Sequence, residues 1–210
     1  MGDLFLSRKM KKKGFIITLA SPSGGGKSSI LCSVLGLLPQ AKYSISYTTR
    51  QIRGTEQDGI DYFFISEQEF LKKKEEGFFL EYAHVHNYWY GTAKDYVLNI
   101  LDQGNHVIMD IDVQGVAQVK ELGYDVVSIF VLPPDFETLK QRLIDRKTDS
   151  NEQIEQRLIN SKKEIDQLIA YDYLVINNSL DKAIECVVNI ILAEENRVIR
   201  YIDPIKTFYN

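Results

Sequence analysis

The sequence predicts an α/β fold in which a central parallel sheet is covered by helices on both faces. Three observations lead there. Short, almost continuous apolar runs alternate with longer stretches whose apolar residues recur at helical spacing. A glycine-rich loop separates the first apolar run from the first helical stretch. The alternation is interrupted between about residues 40 and 100 by short strands of another character. With 210 residues and 44% hydrophobic content, the chain can bury one good core, so one globular unit with small inserted parts is expected.

The first run, 15–20, reads as a buried strand. It leads into Ser21-Pro22-Ser23-Gly24-Gly25-Gly26-Lys27-Ser28 and then into a helix over 27–38. Strand, glycine loop and helix in this order make a phosphate-binding loop. Glycines let backbone amides turn inward around a polyphosphate, and the helix start adds a positive dipole end. Lys27 can reach the β- and γ-phosphates, and Ser28 can ligate Mg²⁺. Ser23, Gly24, Gly25, Gly26, Lys27, Ser28 and Ser29 are therefore the candidate nucleotide-phosphate ligands of this loop. The usual pattern G-x-x-x-x-G-K-S/T has glycine where this chain has Ser21.

Further buried strands are expected at 105–111, 125–132 and 173–177, with helices at 136–146, 152–169 and 181–199. The helix over 152–169 carries Ile154, Leu158, Ile165, Leu168 and Ile169 on one face. Between them the segment 41–100 shows strands near 44–46 and 61–65, a charged helix at 67–76 and a run at 78–85, which together read as an inserted α+β lobe. The polar run 146–152 reads as a short lid between two helices. The expected architecture is a P-loop three-layer fold: a core of about 14–40 and 101–200, the lobe 41–100 and the lid 146–152.

A net charge of −4 and a pI near 5.5 argue against a protein whose main business is binding nucleic acid or an anionic membrane. The basic cluster Arg8, Lys9, Lys11, Lys12 and Lys13 reads as a solvated tail. No apolar run reaches transmembrane length, so a cytoplasmic protein is expected. Cys32 and Cys186, far apart on apolar helical patterns, are expected to be buried reduced thiols. His84, His86 and His106 lack metal-ligand spacing, and structural or surface roles are their default.

Within the lobe stand Ser46-Tyr47-Thr48-Thr49-Arg50-Gln51-Ile52-Arg53, Asp61-Tyr62, Phe79-Leu80-Glu81-Tyr82 and Tyr88-Trp89-Tyr90-Gly91-Thr92. Beyond it come Asp110-Ile111-Asp112-Val113-Gln114-Gly115 and Gln141-Arg142-Leu143-Ile144-Asp145-Arg146. In joint order and spacing these motifs resemble the guanylate kinase family over nearly the whole chain, from about residue 15 to about 193. The resemblance implies that Arg50 and Arg53, helped by the hydroxyls of Ser46, Tyr62 and Tyr90, bind the monophosphate of GMP. Guanidinium forks and hydroxyl donors suit a phosphate dianion. It assigns the guanine edge to Glu81, Thr92 and Asp112. Carboxylates suit the N1–H and amino donors of guanine, and a hydroxyl suits its O6. Taken singly, each has a plainer reading: an edge strand at Thr48-Thr49-Arg50, a surface charge at Glu81, a helix N-cap at Asp112.

Asp110 and Asp112 sit two apart at the end of a strand, so both carboxylates point above the carboxyl edge of the sheet. Asp110 is assigned to the Mg²⁺ side, through water, and Asp112 to the base, although either could serve both. Arg142, Arg146 and Arg157 flank the lid, and the resemblance implies that they clamp ATP; the plainer reading is surface arginine on amphipathic helices, nearly as strong for Arg157. Lys27, Arg50, Arg53, Arg142 and Arg157 would then surround the transferring group. The implied reaction is ATP + GMP giving ADP + GDP, with dGMP as a further acceptor and Mg²⁺ accompanying ATP. It needs no general base, because the attacking phosphate oxygen is already ionised. The implied partners are ATP and GMP, neither nucleic acid nor membrane, in a monomer or homodimer. Two departures from the family pattern stand out, Ser21 for glycine and Ile52 for a proline, and the following Arg53-Gly54-Thr55-Glu56 differs slightly in its turn. The alternatives are a noncatalytic interaction module on the same fold, a kinase for another acceptor, and a P-loop GTPase using Thr49 and Asp112-Val113-Gln114-Gly115, although no N-K-x-D motif occurs.

Overall fold

The computed structural model describes residues 10–85, 87–145 and 150–209. Strand β1 (Ile16–Ala20) is buried at every position and passes through the glycine loop into α1 (Lys27–Leu37). Strand β2 (Ala41–Ser44) follows, and there the chain leaves the core. Strands β3 (Tyr47–Thr48) and β4 (Phe63–Phe64), helix α2 (Glu67–Glu75), and strands β5 (Phe79–Val85) and β6 (Tyr88–Ala93) build the lobe. The Ser66 hydroxyl accepts the Glu69 N–H at the start of α2, whose first turn carries Glu67 and Glu69 and whose last turn carries Lys72, Lys73 and Lys74, matching the helix dipole. Helix α3 (Lys94–Asp102) brings the chain back. Then come β7 (His106–Met109), α4 (Val113–Glu121), β8 (Val126–Leu132), α5 (Phe136–Asp145), α6 (Asn151–Ile165), β9 (Tyr173–Ile176), α7 (Leu180–Glu195) and α8 (Pro204–Tyr209).

The central sheet has the order β2-β7-β1-β8-β9, with every pairing parallel. Alternate residues of β1 feed opposite layers, as the two-residue period of a strand requires. Ile17 and Leu19 pack with Ile30 and Val34 of α1 and with Val187 and Ile191 of α7. Ile16 joins Val97 and Ile100 of α3 and Val116 and Val119 of α4 on the other side. These two clusters are what make three layers. The lobe carries its own sheet, β4-β3-β6-β5, in which β6 runs antiparallel to β3 and β5.

Several expectations shift. Residues 41–44 belong to the central sheet, paired with β7 from Ala41↔His106 to Ser44↔Met109, because Ala41 and Ser44 turn inward. Helix α4 is started by Asp112, the N-cap that its plainer reading expects: its carboxylate accepts the Gly115 N–H at 3.0 Å, and Val116 and Val119 are buried. Helix α6 stops at Ile165, and the tighter 3₁₀ turn Leu168–Ala170 rotates Ile169 off the buried face, leaving it 95% exposed. Helix α7 likewise stops at Glu195, because Arg200 turns inward to pair with Asp125 and Glu194 and lies over the Phe15 ring. Of the basic tail, Lys11 to Lys13 are strapped to this C-terminal segment: Lys13 N–H donates to the Arg200 carbonyl and Ile202 N–H to the Lys11 carbonyl. Arg8 and Lys9 lie outside the described residues, as does His86. Cys32 and Cys186 are free but exposed, since they fall on the outer sides of α1 and α7, away from Ile30, Val34 and Val187. His106 is buried and structural, accepting the Phe15 N–H and pairing with Glu195 at 2.7 Å. Of the expected lid, residues 146–149 lie outside the described residues, and Ser150 caps α6 through a reciprocal pair of bonds with Gln153.

Candidate active site

Because β1 is flanked by β7 and β8, the carboxyl ends of these three strands form the crevice where ligands of open α/β sheets bind. The phosphate loop rises from β1. Gly24 and Gly26 take φ of 93° and 95°, in the left-handed region that glycine enters without cost. The Ser21 departure is accommodated by Gly25: a Cβ there would stand 1.9 Å from the Ser21 hydroxyl, which donates instead to the Pro22 carbonyl. The loop geometry therefore tolerates serine at this position. Lys27 forms a close ion pair with Asp110 at the end of β7, so lysine and carboxylate reach the same point beside the loop. Ser28 and Ser29 are exposed in the first turn of α1.

Arginines from two helices converge on this loop. Arg157 of α6 donates to the Ser23 hydroxyl at 2.8 Å, which brings it to the loop and sets aside its reading as a solvated surface residue. Arg142 of α5 donates through Nη2 to the carbonyl of Asn177 at 2.9 Å, and its buried Nη1 has no hydrogen-bond partner among the described residues. Arg146 lies outside the described residues. Asn177, just beyond β9, is a residue that motif reading missed. Its side-chain amide donates to the Gly25 carbonyl at 2.8 Å while its backbone carbonyl accepts from Arg142, so one residue braces both the phosphate loop and Arg142. A polar residue ending an apolar strand at the carboxyl edge was the available signal.

The second cleft lies between the lobe and the core. Ser46, Tyr62, Glu81, Tyr90, Asp110 and Asp112 line it, bringing together six of the residues singled out from the sequence. Glu81 is 4% exposed, and burial pushes its carboxyl up to about 7 against the opposing pull of the Thr92 hydroxyl, which donates to it at 2.6 Å. Room for this carboxylate beside α4 comes from Gly115, where a Cβ would stand 2.8 Å from Glu81 Oε2. Thr92 is wholly buried and acts on Glu81. Asp112 is both the cap of α4 and part of the cleft wall.

Arg50 is 6% exposed, with its guanidinium 5.0 Å from the Tyr62 ring centre and 5.6 Å from that of Phe64. Burial pushes the Tyr62 phenol up to about 12. Arg53, by contrast, is exposed. Ile52 is 52% exposed and its backbone N–H makes no ladder bond that proline would break, so this departure leaves the loop intact.

A family model described as guanylate kinase matches residues 13–194. The guanylate kinase of Thermotoga maritima is 42% identical over 93% of this chain and 95% of its own. That of Rickettsia prowazekii is 44% identical over 92% of this chain and 98% of its own. Among solved structures, the guanylate kinase from Anaplasma phagocytophilum superimposes with a TM-score of 0.79 at 30% identity, covering 95% of each chain. With likeness of this depth along nearly its full length, the chain belongs to the guanylate kinase family.

Proposed function

We propose that this protein transfers the γ-phosphoryl group of ATP to GMP, and to dGMP, giving ADP and the nucleoside diphosphate. One observation carries the reading beyond family membership: the cleft beside Lys27 and the cleft beside Glu81 share a wall, Asp110 to Asp112, so a group held in one is adjacent to a group held in the other. On this reading the backbone of residues 23–26 with Lys27, Ser28 and Ser29 holds the donor phosphates. Arg142 and Arg157 balance their charge, and Arg146 joins them. Ser46, Arg50, Arg53, Tyr62 and Tyr90 hold the acceptor phosphate, and Glu81, backed by Thr92, reads guanine together with Asp112.

The side chains available suit Mg²⁺ carried in with ATP: one hydroxyl, Ser28, and one carboxylate, Asp110, leave most of the coordination to phosphate oxygens and water, as this ion prefers. When bound, the ion would neutralise phosphate charge. The protein's own share is positioning and electrostatics, because the attacking oxygen needs no base. The chain is taken as one unit, a core with lobe 41–100 and lid 146–152, working in the cytoplasm as a monomer or homodimer. No described helix is long and apolar enough to cross a membrane. No comparison supports the noncatalytic module or the GTPase.

ADP release measured with GMP, dGMP, AMP, dTMP or water as acceptor tests the assignment. GMP should exceed AMP by several orders of magnitude in kcat/KM, since each mispaired buried group costs on the order of 1–3 kcal/mol. Release with water alone equal to that with GMP would make the protein a hydrolase and end the reading.

A further inference from the structure

Glu56 has no role assigned to it above, yet it holds both arginines of the acceptor loop. Its carboxylate accepts from Arg50 Nη1 at 2.7 Å and from Arg50 Nη2 at 2.8 Å. One of the same oxygens accepts the backbone N–H of Arg53 at 2.8 Å. Backbone closes the loop from the other side, the Glu56 N–H donating to the Arg53 carbonyl at 3.1 Å. The entrance is fixed as well, because Thr48 Oγ1 accepts the Arg50 N–H and Thr49 Oγ1 accepts the Trp89 N–H of β6. The Arg50 carbonyl-side neighbour contributes too: the Gln51 carbonyl takes a second Nη1 hydrogen at 2.8 Å.

A guanidinium has five N–H donors on a rigid plane. Glu56 and Gln51 take both hydrogens of Nη1 and one of Nη2. The two remaining donors, on Nε and Nη2, lie side by side along the other edge. That edge is a fork that matches two oxygens of one phosphate. The Tyr62 and Tyr90 hydroxyls also interact with this guanidinium, and a phenol oxygen that accepts from a guanidinium keeps its own O–H free to donate to a phosphate. The ion pair also explains how a cation can wait in a 6% exposed position without its ligand: a buried charge left unpaired would be costly.

We propose that Glu56 is a positioning residue of the acceptor site: it grips the Nη1/Nη2 end of Arg50 and the Arg53 backbone, and so presents the Nε/Nη2 edge to the phosphate of the nucleoside monophosphate. The inference rests on the reading of Arg50 as a phosphate ligand. Glu56 acts through Arg50 and Arg53 and does not itself meet the substrate.

The test uses E56A, E56Q and R50A in the full chain, with steady-state kinetics for both substrates and calorimetric binding of GMP and of guanosine, which lacks the phosphate. E56A should raise KM for GMP on the order of tenfold or more while KM for ATP stays within about twofold, the loss expected for a charge-assisted fork. E56Q, which keeps one accepting oxygen, should fall between E56A and wild type and covers the case that E56A does not fold. Guanosine affinity should not change in either variant, whereas a general loosening of the lobe would weaken both ligands together. If R50A shows the GMP-selective loss and the Glu56 variants do not, Glu56 is no positioner. A lower KM for GMP in E56A would make Glu56 a competitor for the fork, and that too overturns the proposal. If R50A itself leaves GMP binding intact, the Arg50 reading fails and the role of Glu56 falls with it.

Discussion

The phosphate loop and the inserted lobe both face a phosphate, and they are built of different materials. The loop offers backbone amides, a helix start and one lysine, all from residues 23–29, so its geometry is set within a single turn of chain. The lobe offers side chains drawn from β3 and the loop after it, from β5 and from β6, and each is held by another side chain: Arg50 by Glu56, Glu81 by Thr92. The contrast teaches how each site meets its burial. A backbone cradle is satisfied by its own fold, while buried charges in a side-chain site need partners built in beside them. Lys27, on the loop side, is also paired, but with Asp110 of the opposite wall; a donor nucleotide must take this lysine over, whereas the Arg50 pair can persist in the complex.

The largest effect should come from the loop. Lys27→Met removes the cation next to the donor phosphates and should lower phosphoryl transfer to less than about a hundredth of wild type, a loss of several kcal/mol of transition-state stabilisation. GMP binding by calorimetry should remain, because Lys27 does not line the lobe cleft. Loss of both would mean that the two regions are not separable.

Glu81 sharpens the comparison, since a buried carboxylate carries a pH signature that a backbone cradle lacks. With its carboxyl raised to about 7 by burial, Glu81 is largely protonated below that pH in the free protein, and the protonated acid has lost its charge and presents an O–H where the ionised form accepts from the guanine N1–H and amino donors. GMP affinity should therefore fall as pH drops below about 7, approaching tenfold per unit, while ATP affinity follows no such curve. Glu81→Gln should weaken GMP, narrow the GMP/AMP ratio and flatten this dependence. The stability sign is opposite: the folded-state value lies above the unfolded one, so burying the ionised form costs stability that appears as pH rises from about 4.5 through about 7. The variant should accordingly melt higher than wild type at pH 8, with the gap closing toward pH 5. A variant that keeps both the full GMP/AMP ratio and the pH slope would remove Glu81 from the base site.

The smallest effect is geometric. Lobe and core meet at a shared wall, and binding both GMP and a nonhydrolysable ATP analogue should draw them together, reducing the radius of gyration by roughly a few per cent in solution scattering. No change with both ligands bound would argue for a cleft that is already closed.

The sequence alone was enough for the α/β class, the phosphate loop and most members of both clefts, because these are written in contiguous patterns: an apolar run, a glycine turn, a helix start, a row of hydroxyls and arginines. It fell short where partners are far apart along the chain. Nothing local to Asn177 says that it braces Gly25, 152 residues away, and nothing near Arg142 says that it reads the carbonyl of that same asparagine. Glu56 is only six residues from Arg50, but whether an acid at that distance grips the guanidinium or points to water depends on how the loop closes between β3 and β4. Residues 41–44 likewise read as the start of the lobe until β7 is beside them, since pairing in a parallel sheet is decided by neighbours that the strand's own residues do not encode. Local backbone chemistry is fixed by the residues that carry it; which side chain partners which buried charge is fixed only when packing brings distant elements within hydrogen-bond reach.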